Sequence, residues 1–207
     1  MKDYWKWLLM IPVIAGAVIA GYLITGWLSQ GDSSSTDDTG GQNQAIQLEI
    51  TDKQQVIDQT QALVDSDAGD ALALENLGNA YLELGMLQSE GGDVNGSFRS
   101  YKAAADAYQR YLQLKPDDAD VRIDLGYTYY NLLMFEVAER ELKAVTIASP
   151  SNQRGWHVYG VVLSRLEKTD EAVAAWQHSY DLDPNSTIGQ ESKQFMEQAG
   201  SGVLQAP

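Results

Sequence analysis

Few side chains in this sequence are of types that do chemistry. There are two histidines, His157 and His178, and no cysteine, so thiolate nucleophiles, thiolate metal sites and disulfides are out of reach. Neither histidine belongs to an HExxH pair, and no phosphate-cradling glycine loop or nucleophile elbow occurs. The densest polar cluster is Asp117, Asp118, Asp120 and Asp124. Carboxylates packed so closely suggest a hard cation. The spacing is not the Asp-x-Asp-x-Asp-Gly of a calcium loop, however, and residues just behind Pro116 are placed to cap a helix. A second acidic turn, Asp65, Asp67 and Asp70, reads the same way. No metal, cofactor or catalytic group is expected, and the chain reads as non-enzymatic.

Charge narrows the partners. The chain carries a formal −15, and beyond residue 6 its 12 basic and 28 acidic residues leave −16. Such a domain is a poor ligand for nucleic acid and is repelled by anionic headgroups. What remains is binding to protein, including basic segments drawn to an acidic surface.

The elements that would position such a surface repeat along the chain. Pro116, Pro150 and Pro184 are evenly spaced. Gly126 and Gly160 keep the same step, as do the alanines Ala104, Ala138 and Ala172 and the large side chains Tyr108, Leu142 and Trp176. Glycine on one helix and alanine on the next let two helices approach closely, while the large residues fill the space beside them. Each proline stops the second helix, and Asp117, Asp118, Ser151 and Ser186 stand where the next helix needs a cap. The step of about 34 residues, and the residues that keep it, resemble the tetratricopeptide repeat (TPR), a pair of antiparallel helices. In the third unit Trp156, Tyr159, Gly160, Leu163, Ala172, Trp176 and Pro184 fall on the motif positions. The second unit has Leu125, Gly126, Tyr129, Ala138, Leu142 and Pro150, with Arg122 in the tryptophan position. The first has Leu74, Leu77, Gly78, Tyr81, Ala104, Tyr108 and Pro116. The expected fold is therefore all-α, a TPR helical-hairpin solenoid of about three repeats with flanking helices, because a lone hairpin does not bury its own apolar face.

The first unit is longer. The interval from Gly78 to Gly126 exceeds the repeat length by about 14 residues, which fall between its helices around positions 84–100. Either both helices gain about two turns or a glycine-rich loop intervenes at Gly91-Gly92, with Asp93 as a cap. The repeats then divide as TPR 1 at 71–118, TPR 2 at 119–152 and TPR 3 at 153–186. Residues 187–199, with Ile188, Phe195 and Met196 apolar, read as a C-terminal capping helix, and 200–207 as a tail.

Ahead of the repeats, residues 7–28 contain no charge. As a helix they span about 33 Å, enough for a hydrocarbon core of about 30 Å, with Trp5, Trp7 and Trp27 at its interfaces. The stretch is long for a signal-peptide core. Lys2 and Lys6 before it, against Asp32, Asp37 and Asp38 after it, place residues 1–6 in the cytoplasm and the repeats on the outer face of a bacterial cytoplasmic membrane. Gly16, Ala17, Ala20 and Gly21 offer spacing for packing two anchors, so homo-oligomerisation is left open. Residues 29–47, rich in Ser, Gly, Asp and Gln, read as a flexible tether. The N-terminal flanking region, 48–70, holds a helix at about 52–67 with Val56, Ile57, Ala62, Leu63 and Val64 as its apolar positions.

The TPR resemblance implies a concave groove lined by the first helix of each unit. On its positions the first unit presents Leu72, Glu75, Asn79, Leu82 and Glu83. The second presents Asp120, Ile123, Tyr127, Tyr130 and Asn131, and the third Arg154, His157, Val161, Ser164 and Arg165. Asn79 and Asn131 would hold a peptide backbone, and the tyrosines and arginines would anchor side chains. The lysine pattern of TPRs that grip an acidic C-terminal tail is absent, since Glu75 stands where that clamp needs a lysine. The implied function is a membrane-anchored adaptor for a protein or peptide. A narrower reading is the cytochrome c maturation type, whose TPR modules resemble this layout and hold an apoprotein for haem ligation. A third is a structural envelope protein that self-associates.

Overall fold

The computed structural model describes residues 38–200, and all of it is helical apart from turns. The apolar stretch 7–28 lies outside the described residues. No helix among those described is long and apolar enough to cross a membrane. Eight helices follow one another: α1 (Asp38–Ser66), α2 (Ala71–Glu90), α3 (Val94–Leu114), α4 (Ala119–Asn131), α5 (Phe135–Ala148), α6 (Gln153–Arg165), α7 (Thr169–Leu182) and α8 (Thr187–Gly200). Each packs on the next, and α4 and α6, then α6 and α8, also touch directly. Three hairpins (α2/α3, α4/α5, α6/α7) thus stand side by side, with α1 before them and α8 after.

The close approach rests on glycines set against large side chains. A Cβ on Gly78 would lie 2.5 Å from the Tyr108 ring, one on Gly160 2.5 Å from Trp176 Nε1, and one on Gly126 2.7 Å from Leu142. Ala104, Ala138 and Ala172 are fully buried beside these pairs. The first hairpin uses the device twice, because a Cβ on Gly85 would lie 2.5 Å from the Tyr101 ring. Gly85 is seven residues after Gly78, and Tyr101 seven before Tyr108. The excess residues therefore lengthen both helices, to 20 and 21 residues, and add one further layer of the same packing. Gly92, at φ +82°, turns the chain between them, and Asp93 accepts from the Gly96 amide to start α3.

Caps explain the boundaries. Asp70 and Asp118 accept backbone amides at the starts of α2 and α4. At α6 the cap is Asn152 rather than the expected Ser151, and Ser186 Oγ accepts from Gly189 N at 2.9 Å in α8. The departure at Arg122 keeps a bond: its guanidinium donates to the Pro116 carbonyl at 2.7 Å, as the Trp156 indole donates to that of Pro150 at 2.8 Å. Gln190, one repeat beyond Trp156, donates in the same way to Pro184. Three unlike side chains tie the first turn of a helix to the proline that ended the previous one.

Part of the expected tether is helical instead, while residues 29–37 lie outside the described residues. Residues 38–47 belong to α1, which runs to 29 residues. Ile46, Ile50, Ile57 and Val64 form one stripe on it, and Ile46 reaches Gly91 at the far end of α2. The lengthened α2 exposes apolar surface that only a longer α1 covers. Of the expected apolar positions, Ile57 and Val64 are buried, whereas Val56, Ala62 and Leu63 are exposed.

Leu133 and Glu167 both have φ +60°, at the same point of the turns ending α4 and α6. Left-handed backbone costs a side-chain-bearing residue roughly 1–2 kcal/mol. Leu133 is exposed, so little packing compensates. Leu133→Gly is expected to raise unfolding free energy by about 0.5–1 kcal/mol once glycine's own entropy is counted. Urea titration of parent and variant measures it.

Candidate peptide-binding groove

The first helices of the hairpins bring the expected groove residues to one side, but many are already engaged. Ile123 is fully buried and Leu82 nearly so; both are core, not lining. Asn79 Oδ1 accepts from the buried Tyr108 hydroxyl at 2.7 Å. Asn131 Nδ2 donates to the Tyr127 carbonyl one turn back, at 2.9 Å. Each amide thus spends one of its two polar ends inside the fold. His157 is buried beneath α8, its Nδ1 2.9 Å from Ser192 Oγ and its ring 5.7 Å from that of Phe195. Glu83 is exposed and paired with Lys53 of α1. Leu72 is exposed, and Glu75, Val161 and Ser164 are half-buried.

Helices α4 and α6 are stitched along this face. Asn152 Nδ2 donates to Asp120 at 3.0 Å, Arg154 pairs with Asp124, and Arg165 Nε donates to the Tyr130 hydroxyl at 2.9 Å. Burial raises the Asp124 carboxyl above its usual range, and the Arg154 guanidinium offsets part of that cost. Burial, then Asp118, Asp124 and Asp120, likewise raise Glu75. The end of the groove towards the first hairpin is therefore a field of like charges. The acidic cluster has ordinary duties: Asp118 caps α4 and takes the Tyr111 hydroxyl at 2.7 Å, while Asp120 and Asp124 hold α6.

The other end differs in chemistry. Tyr127 and Tyr130 stack with centroids 6.0 Å apart and planes 10° from parallel, and the Phe135 ring lies 5.7 Å from that of Tyr130. The Arg165 guanidinium sits 5.7 Å above the Tyr130 ring. All four side chains are half-buried. Among the described residues Arg165 has no carboxylate partner, unlike Arg122, Arg154 and Lys168, which pair with Glu141, Asp124 and Glu139. Phe135 escapes periodicity because the equivalent residue of the third hairpin is Thr169. The partners of Arg154 and His157 lie 30 and 35 residues away on other elements, and no local pattern marks them.

Similar folds are known. The first TPR of Spaghetti (RPAP3), bound to the HSP90 peptide SRMEEVD, matches with a TM-score of 0.54 at 20% identity, over 66% of this chain and 95% of that one. MamA AMB-1 matches with a TM-score of 0.52 at 24% identity, over 80% and 90%. The fold is thus a TPR solenoid. No family model matches the sequence. Protein FlbA of Caulobacter vibrioides is 28% identical over 132 residues, which is 61% of this chain. The matched region spans 21% of that relative's length.

Proposed function

We propose that this chain is a non-catalytic adaptor, anchored through residues 7–28, that holds a segment of a partner protein on the outer face of the cytoplasmic membrane. The observation that carries the reading is the Tyr127–Tyr130–Phe135–Arg165 cluster at the α4/α6 seam. Aromatic rings and arginine are the usual anchors of protein interfaces. A guanidinium already held over a ring and lacking a carboxylate is poised to accept one in a two-pronged bond. The segment that fits places a large apolar residue against Tyr127 and Tyr130 and an acidic group on Arg165. Arg154, spent on Asp124, is not its second contact. The RPAP3 domain is bound to an acidic peptide. Here the acids around Glu75 oppose an acidic group at the first hairpin, so binding centres on the second and third hairpins. The polar outer side of α8 (Gln190, Lys193, Gln194, Glu197) acts as a solubilising cap and disfavours end-to-end stacking.

The test starts with affinity capture from solubilised membranes, followed by calorimetric titration with the captured partner's segment. Tyr130→Ala and Arg165→Ala are each expected to weaken binding by at least about 1 kcal/mol, roughly fivefold. Parent-like binding by both variants would remove this face as the site. Topology is tested separately with protease added to intact spheroplasts, where protection of residues 38–200 would overturn the proposed orientation.

A further inference from the structure

Helix α1 carries a second apolar stripe that nothing in the chain's described part covers. Leu48, Val56 and Leu63 are 63%, 44% and 56% exposed. At 100° per residue they share an arc of about 80°, centred about 130° from the stripe that packs on α2. In this solenoid α1 stands as the second helix of a hairpin with no first helix among the described residues, and the stripe is the face that helix would take. The nine residues before α1, Ser29–Asp37, contain no apolar side chain to fill it.

We infer that the occupant is a second copy of this chain, its α1 laid antiparallel against the first. The spacing carries the argument. Val56 lies eight residues after Leu48 and seven before Leu63, so the stripe is nearly its own reverse. A twofold contact demands that self-complementarity, and a foreign partner does not. With the axis beside Val56, Leu48 of one copy meets Leu63 of the other, and the valines meet near the centre. Asp52, on the same face, then falls opposite Gln59, and Glu49 opposite Ala62. No acidic side chain of the stripe opposes another, which matters for a chain of charge −15. The apolar surface is small beside the roughly 800 Å² per partner of a standard interface, so the pair is reversible and concentration-dependent. It would set two grooves side by side, and a partner offering two segments would be held bivalently.

The absence of cysteine makes the test clean, since any introduced thiol is unique. The full chain is used in detergent with micelles in large excess. Mild oxidation of Val56→Cys is expected to give a disulfide-linked dimer as the main product, because thiols near the axis come within bridging distance, with Cα atoms under about 7 Å apart. Leu48→Cys alone, and Leu63→Cys alone, stay monomeric, since each meets its own copy only across about 22 Å of helix. Mixed together, these two variants cross-link. Lys102→Cys, exposed on α3, sets the background. Val56→Asp is expected to sediment as a monomer at concentrations where the parent self-associates, with an unchanged melting curve. The inference is overturned if Val56→Cys links no faster than Lys102→Cys, or if Leu48→Cys alone links as well as Val56→Cys. Tyr130→Ala in the Val56→Cys background should cross-link undiminished, which keeps this result separate from that of the groove.

Discussion

Trp176→Ala is expected to cost about 3–5 kcal/mol, the upper range for deleting a buried large side chain. For a chain of this size that lowers the melting temperature by roughly 10 °C. Trp176 is 1% exposed, lies against the bare backbone of Gly160, and stacks on Phe195 with centroids 5.1 Å apart and planes 18° from parallel. The one side chain therefore closes the α6/α7 hairpin and also seats α8. Its loss leaves a cavity that the glycine side is unable to fill. Trp176→Phe keeps a buried aromatic ring and removes the N–H. The indole Nε1 is buried with no hydrogen-bond partner among the described residues, so removing that N–H sacrifices no bond. This variant is expected to cost less than about 1.5 kcal/mol. Thermal and urea unfolding measure both. Because neighbouring hairpins in a solenoid couple only through shared faces, amide exchange should rise in α6–α8 well before α2/α3 in the alanine variant. Uniform loosening would show that Trp176 is not the local keystone described.

Acidification is expected to strike the same end of the molecule through His157. Burial, and then the nearby Arg154 charge, push its pKa down from the ordinary 6.5 to about 4. The hydrogen bonds around it fix which nitrogen of the neutral ring carries the proton. The Gln153 carbonyl only accepts, so Ser179 Oγ donates to it at 3.1 Å, and Ser192 Oγ in turn donates to Ser179 at 2.9 Å. Ser192 is left to accept from His157 Nδ1–H at 2.9 Å. The ring's second proton would therefore be added at Nε2, within the buried site and near the Arg154 charge. Glu191 lies 3.8 Å from Nε2, too far for a hydrogen bond, and burial raises its own carboxyl. Between pH 6.5 and 4 the unfolded chain binds the proton and the folded one does not. Stability is therefore fully present above 6.5 and is lost as pH falls through that window, by on the order of 3 kcal/mol. The raised carboxyls of Glu75, Asp124 and Glu191 act in the opposite direction, gaining stability on acidification. The decisive quantity is therefore the difference between parent and His157→Gln. Glutamine carries no charge at any pH in the window and still donates to Ser192, so this variant should lose less stability between about pH 7 and pH 4.5. Equal losses would mean that His157 titrates normally.

The sequence alone determined the hairpins, because their cause is local and repeated. Proline at one end, glycine facing a large side chain in the middle and alanine beside it recur in every unit. Even the irregular first hairpin was legible in principle, since Gly85 and Tyr101 repeat the Gly78–Tyr108 pair at a seven-residue step. Composition misread residues 38–47, whose glycines and glutamines look like a tether. They are helical because Ile46 and Ile50 cover the added turns of α2, a demand set by another element. The groove was legible only as a register. Motif positions told which residues lie on the inner side of each first helix. They did not tell that Ile123 sinks into the core, that α8 roofs His157, or that Asp124 takes Arg154 and leaves Arg165 without a carboxylate. Those outcomes depend on partners distant in the chain, brought into range only when the hairpins stack. Helix periodicity decides which face a side chain takes, and tertiary packing decides what is left there to bind.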